Sequence, residues 1–131
     1  SARNRITGWQ LHKFQISGFL HWGYNFWYSQ NSRKKLDPWR VTDALGAFPG
    51  GDPFSVYPGE DGPVQSLRMK VFHHGLQDMR ALELACSLTG EDPGACVLPG
   101  YGEMTFSQYP KKAEELLLAR EQLNSLIEKR L

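Results

Sequence analysis

Only two segments of this 131-residue chain are dense enough in aromatic and β-branched residues to read as strands, Phe19 to Trp27 and Phe54 to Tyr57. That shortage constrains the fold more than any other feature, because two strands cannot close a barrel and leave their edges unpaired in an open sheet. The first of them lies in GFLHWGYNFW, which holds five aromatic rings in ten residues. Neither parity of it is cleanly polar, which predicts burial on both faces, as in parallel sheets covered by helices. Between the two strands runs SQNSRKKLDPWRVTDALGAFPGGDP, with three prolines and a Gly-Gly pair. This composition predicts a long irregular loop, and loops of such length inside a compact domain are usually functional or disordered. Trp39 and Phe48 within it predict a loop that packs onto something. Pro58-Gly59 stops the second strand.

The remaining chain is helical in pattern. Residues 2 to 15 read as a short helix with Ile6 and Trp9, and Leu11 or Phe14, on its buried side, ended by Ser17-Gly18. A second helix is expected from a cap at Asp61 or Gly62, with Pro63 in its first turn. Val64, Leu67, Val71, Met79, Leu82 and Leu88 continue it at helical spacing to about Ser87. Gly75 interrupts that pattern at a cost of about 1 kcal/mol relative to alanine, which points to close packing or a kink. Thr89 to Phe106 is a second Gly/Pro-rich connection. Pro110 to Leu131 is the clearest helix, with Leu116, Ala119, Leu123, Leu126 and Ile127 in one apolar stripe. Long loops after the carboxyl ends of strands belong to α/β folds, in which ligands sit on those loops.

The totals exclude several functions. Fifteen basic against fourteen acidic residues leave a formal charge of +1, which gives no electrostatic reason to expect a nucleic-acid partner or a membrane surface. No apolar run approaches the roughly 20 residues of a membrane span, and the opening SARNRITGWQ lacks the apolar core of a signal peptide. Cys86 and Cys96 are too few for a disulfide scaffold. Their separation of ten leaves room to close a loop, but two reduced thiols are the expected state, which favours a cytoplasmic location, with a secreted full-length parent as the alternative.

Among residues able to carry chemistry, the aromatic group Trp22, Tyr24, Trp27, Trp39 and Tyr57, with Asn25 beside it, suits a sugar. A Trp or Tyr ring covers the C–H face of a pyranose, and Asn, Asp or Arg reads its hydroxyls. The alternative is that the same rings are core. Asp52, just before the second strand, is the acid best placed to reach a pocket. Arg68 and Asp78 read as members of structural ion pairs or as ligand contacts. His73-His74 has no Cys or carboxylate at a zinc-like offset, and adjacent helical positions point about 100° apart, so no metal site is expected. His21 reads as a satisfied histidine within its strand. Glu60-Asp61, Glu91-Asp92 and Glu114-Glu115 belong to turns or helix starts rather than to a catalytic pair. Ser55 and Ser66 lack triad partners, and GAFPGGDP lacks the lysine and following helix of a phosphate loop. No cofactor is indicated.

Taken in order, GFLHWGYNFW, DPW at 37 to 39, GGDPFSVYPG and GPVQSLRMKVFHHGLQDMRALEL resemble the C-terminal conserved region of bacterial proteins related to glycoside hydrolase family 123, also catalogued as domain of unknown function 4091. The resemblance covers about residues 5 to 88. It implies an (α/β)8 barrel of the TIM type, whose last strands and helices would occupy residues 1 to 109, with 110 to 131 as a C-terminal amphipathic helix. It also implies similarity to β-N-acetylgalactosaminidases that work by substrate assistance, the sugar's acetamido oxygen attacking the anomeric carbon while an Asp-Glu pair orients that group and protonates the leaving oxygen. No Asp-Glu dipeptide occurs in this sequence. Only the aromatic wall carries over, onto Trp22, Tyr24, Asn25, Trp27 and Tyr57. Arg68, Gly75 and Asp78 match the helix after the final strand, whereas His73-His74 and Met79 depart from it.

The sequence therefore predicts a helix-rich α/β piece, incomplete as a barrel on its own. It would supply Trp22, Tyr24, Asn25, Trp27, Trp39, Asp52, Tyr57 and Arg68 to a carbohydrate site without hydrolysing alone. The alternative is a non-catalytic carbohydrate-binding or self-association domain. Apolar faces left open by an incomplete barrel also predict a homodimer.

Overall fold

The computed structural model describes residues 2–91 and 104–131, and three helices carry most of its regular structure. They are α1 (Ala2–Lys13), α2 (Leu67–Thr89) and α3 (Ala113–Glu128). The hairpin strands β1 (Val56–Gly59) and β2 (Gly62–Gln65) and a short 3-10 turn, Gln30–Ser32, complete it. The chain divides into two compact units, one formed by residues 1–19 and 71–131 and the other by residues 20–70. The connection expected between Thr89 and Phe106 lies largely outside the described residues.

In the helical unit the apolar faces of α1 and α3 meet as their periodicity requires, but of the stripe expected for α2 only Leu82 is buried: Leu67 is 76% exposed, Val64 lies in β2, and Ala81 and Ala85 supply the rest of the α2 face. Ile6 and Trp9 of α1 meet Ala81, Leu82 and Ala85 of α2 and Leu116, Ala119 and Leu123 of α3, with Met104 closing the cluster. Leu126 and Ile127, the outer residues of the expected stripe, pack against this core while remaining partly buried. His12 takes the buried place expected for Leu11 or Phe14 on α1.

At the centre of this unit a carboxylate is buried to 1% exposure, that of Asp78. Arg5 of α1 grips it with two prongs, Nε donating to Oδ2 at 2.6 Å and Nη2 to Oδ1 at 3.0 Å. Trp9 donates its indole N–H to Oδ2 at 3.0 Å, and Arg120 of α3 donates Nη1–H to Oδ1 at 2.8 Å. Arg120 is itself held by Nε donating to Asn124 Oδ1 at 2.8 Å, one turn further on. An unpaired charge here would be prohibitive, so the two guanidiniums are a condition of burying the aspartate at all.

Gly75 marks close packing. A Cβ on it would stand 2.5 Å from the backbone oxygen of Arg5, and one on Gly8 would strike the Gly75 carbonyl. Two glycines facing each other let the α1 and α2 backbones touch, which brings Arg5 and Trp9 within reach of Asp78.

The 20–70 unit departs from the expected strands. Phe19 to Trp27 is not a strand buried on both faces: Phe19 is 53% and Leu20 92% exposed, and pairing is confined to a single bridge between Asn25 and Phe54. The reason lies downstream. The chain that was expected to supply parallel neighbours instead folds on itself as an antiparallel hairpin, Val56 opposite Gln65 and Gly59 opposite Gly62, around a turn at Glu60-Asp61. Glu60-Asp61 is thus a hairpin tip rather than a helix start. Pro63 belongs to β2, opposite Pro58. Alternate pairs of an antiparallel ladder exchange no backbone hydrogen bonds, and two residues without N–H groups fit only such a pair. The α2 cap is Ser66, whose Oγ accepts the Met69 N–H at 3.2 Å and donates to the Ser55 carbonyl at 2.7 Å. At its far end α2 runs to Thr89, where Gly90 at φ 71° returns its N–H to the Cys86 carbonyl at 2.9 Å.

Two outcomes follow from the helical unit. Asp78→Ala leaves two guanidiniums and an indole N–H without their acceptor and should lower the unfolding free energy by about 3 kcal/mol or more, read from the midpoint of denaturant unfolding. Gly75→Ala, worth about 1 kcal/mol of added stability in an exposed helix, should instead destabilise by roughly 2 kcal/mol because the helices must separate; a raised thermal midpoint would refute the glycine contact.

Candidate functional site

All eight residues that the sequence points to fall within the 20–70 unit. Three of them, Trp22, Trp39 and Tyr57, belong to two ring clusters. In the first, Trp22 lies at 4.5 Å from Phe48 and at 5.5 Å, edge-on, from Phe26, and Phe26 continues to Tyr28 at 5.7 Å. Asp52 accepts the Trp22 indole N–H at 3.3 Å. In the second, Trp39 stacks on Tyr57 at 5.2 Å, and Tyr57 stacks on the buried Phe54 at 4.7 Å.

Short-range chemistry holds the loop that carries them. Asp37 accepts the Trp39 N–H at 2.9 Å and Asp43 the Leu45 N–H at 3.0 Å, both turns closed by an aspartate on its own backbone. Gly51, at φ 78°, donates to the Thr42 carbonyl at 2.7 Å and is covered by the Arg68 guanidinium. Pro53 accepts the Phe26 N–H at 2.9 Å, and the Tyr24 carbonyl accepts Ser55 N–H at 2.9 Å. Residues 20–28 are thereby laced to residues 52–56. Phe54, Val56, Leu36 and Ala44 are the buried apolar residues beneath.

The result is a surface of anchored rings. Trp22 is 50%, Tyr24 58% and Trp39 57% exposed. Asn25 and Tyr57 are half-buried. Trp27 turns inward: it is partly buried, its carbonyl accepts the Leu36 N–H at 2.9 Å, and its buried indole N–H has no acceptor among the described residues. Arg68 donates Nη2–H to the Gly50 carbonyl at 2.7 Å and so braces the loop. It forms no ion pair with Asp78, whose partners are Arg5 and Arg120. His21 is exposed, its Nδ1 turned to the Gly23 backbone. Tyr28 and Lys35, not among the residues the sequence points to, pair across an isolated bridge; the alternation of Phe26, Tyr28 and Lys35 on one side with Trp27 and Leu36 on the other is the signal for it in the chain.

Elsewhere, a groove of about 700 Å³ in the helical unit is lined by His12, Glu83 and Cys86 among others. Cys86 is disulfide-bonded, where a reduced thiol was expected. Two cysteines, too few for a scaffold, suffice for one crosslink; Cys96 lies outside the described residues, as does Asp92. The ground for a cytoplasmic location is thereby removed, since disulfides persist in oxidising compartments. Among the described residues no helix is long and apolar enough to cross a membrane. His73 and His74 are exposed, with ring centroids 6.4 Å apart.

Residues 1–85 match the family described as glycoside hydrolase 123, catalytic domain. The chain belongs to that family, and its mixture of helices with a small sheet fits an α/β glycoside-hydrolase piece. None of the curated proteins compared with the chain matches it.

Burial sets one pH response. His12 is 5% exposed, its Nε2 3.8 Å from Cys86 Sγ. Desolvation lowers its pKa below the ordinary 6.5, only partly opposed by the charge of Glu83. The folded protein then binds fewer protons than the unfolded chain below pH 6.5, so its stability is fully present above that value and falls as the pH drops toward the depressed pKa. Thermal midpoints measured from pH 8 down to pH 5 should hold steady and then decline, and His12→Gln should remove the part of the decline that begins near pH 6.5.

Proposed function

We propose that the 20–70 unit is the aromatic and polar wall of a carbohydrate site in a glycoside hydrolase, and that this chain is the C-terminal part of its TIM-type barrel. Family membership supports a carbohydrate ligand. The observation that carries the reading is the combination of exposure with fixation. Three large rings, Trp22, Tyr24 and Trp39, each leave half their surface to solvent, although stacking and hydrogen bonds anchor the loop that bears them. Exposed rings held in place lose little conformational freedom when a sugar docks. Asp52, already on the Trp22 indole, keeps an oxygen for a hydroxyl at the ring edge. Asn25, paired with Phe54, and Tyr57, stacked on Trp39, are the further polar groups of this unit.

The parent would be a β-N-acetylhexosaminidase in which the substrate's acetamido oxygen attacks its own anomeric carbon. That mechanism needs an acid to orient the acetamido group and a neighbouring acid to protonate the leaving oxygen. Neither role is assigned to this chain. Asp78 is spent on two arginines, and the adjacent acids Glu60-Asp61 and Glu114-Glu115 stand at a hairpin tip and in the first turn of α3. The chain contributes binding and orientation.

Titration with N-acetylated amino sugars should change tryptophan fluorescence, with affinity reduced about threefold to tenfold in Trp22→Ala and in Trp39→Ala. A chromogenic β-N-acetylgalactosaminide should not be turned over by the chain alone. A flat fluorescence response to every amino sugar would remove the carbohydrate reading and favour a self-association domain.

A further inference from the structure

We propose that the sugar accepted by this surface is anionic, a saccharide bearing a sulfate ester or a uronate carboxylate, and that Lys35, with Arg33 and Lys34, receives its charge. The inference rests on the carbohydrate reading above and adds the substrate's charge to it. The pairing of Tyr28 with Lys35 places the two residues directly opposite each other in antiparallel geometry, so their side chains leave on the same face. Tyr28 is in ring contact with Phe26, and Phe26 with Trp22. The row of ring contacts that begins at Trp22, beside Asp52, therefore ends at Tyr28, whose neighbour across the bridge is Lys35.

The charge at that end is uncompensated. Arg33, Lys34 and Lys35 are all exposed, and none forms an ion pair among the described residues. The near acids in sequence are engaged: Asp37 holds the Trp39 N–H and pairs with Arg40 at 3.6 Å, and Asp43 holds the Leu45 N–H. The cations also sit on a defined support. Ser29 accepts the Lys34 N–H on Oγ at 3.0 Å and donates its own N–H to the Lys34 carbonyl at 2.8 Å, while the Leu36 N–H is bound to the Trp27 carbonyl. Asn31 and Ser32 turn the chain between them at φ 60° and 55°. One lysine on the face of the last ring, with two further exposed cations next to it in the chain on a braced loop, matches a ligand with both apolar pyranose faces and fixed negative charge. A neutral sugar would leave them unused.

Single-stranded nucleic acid also combines flat faces with charge, but the acids Asp52, Glu60 and Asp61 in the same unit and the overall charge of +1 oppose a continuous phosphate backbone. The family match favours the saccharide.

The test uses the whole chain with four probes: a neutral N-acetylated hexasaccharide, its sulfated form, a hexasaccharide with uronate in place of sulfate, and an oligothymidylate. Binding is read by calorimetry at low and high salt, with Lys35→Ala and the combined Arg33→Ala, Lys34→Ala, Lys35→Ala variant alongside. Both changes are at exposed positions, and circular dichroism verifies folding. The expected result is that one or both anionic saccharides bind about tenfold more tightly than the neutral one, that salt erases the difference, and that the triple variant binds all saccharides like the neutral probe. The sulfate and uronate arms identify which anion is preferred. Equal binding of neutral and anionic saccharides overturns the charge assignment while leaving the carbohydrate reading intact. Binding of no saccharide overturns both. Oligothymidylate bound more tightly than either anionic saccharide overturns it in favour of nucleic acid.

Discussion

The helical unit depends on one buried charge. Asp78 would be intolerable at 1% exposure without partners, and its partners come from the two other helices, Arg5 and Trp9 from α1 and Arg120 from α3. Apolar contact between helices is non-directional, so leucine and alanine stripes alone permit a range of rotations and slides. Hydrogen bonds to two carboxylate oxygens permit far fewer. The clamp therefore supplies the register that the apolar core lacks, although replacement of such a network by apolar residues need not cost stability. Gly8 and Gly75 are the geometric precondition, since a methyl group at either position would hold α1 too far from α2.

The 20–70 unit solves a different problem. It has little regular structure, so its backbone groups are satisfied by turns, bridges and side chains: Asp37, Asp43, Ser29 and Ser66 each close a local turn or cap. A small set of buried residues, Phe54 and Val56 foremost, anchors the loop from below. Rings that in a larger core would have been buried are left at the surface and fixed there. A binding wall needs that state, because a mobile ring would lose entropy on docking and a buried one could not dock.

The three helices were legible in the chain because each must bury one stripe, and Ile6, Trp9, Leu82, Leu116, Ala119 and Leu123 recur at the required spacing. Gly75 declared itself as a defect in an otherwise good helix, and close packing is what it serves. The strands were less legible. Phe19 to Trp27 has the composition of a buried strand, but composition cannot supply a neighbour, and without one the segment makes only a single isolated bridge. Pro63 fits a helical first turn as well as a strand position that needs no N–H, and local rules do not choose between them. The candidate surface was legible as residue types. Its polarity was not: Trp22, Tyr24 and Trp39 face out while Trp27 faces in, and Lys35 joins the rings through a pairing seven residues away in the chain.

By itself the sequence determined the helices, the amphipathic character of α3, the family and the wealth of surface aromatics, because these follow from periodicity and residue chemistry within a few turns of chain. Only the tertiary structure decided that Asp78 belongs to Arg5 and Arg120 rather than to Arg68, that Cys86 is crosslinked, and which rings meet solvent. None of these follows from the residues adjacent in the chain. Each is settled by which groups three-dimensional packing brings within bonding distance, a quantity that local propensity does not contain.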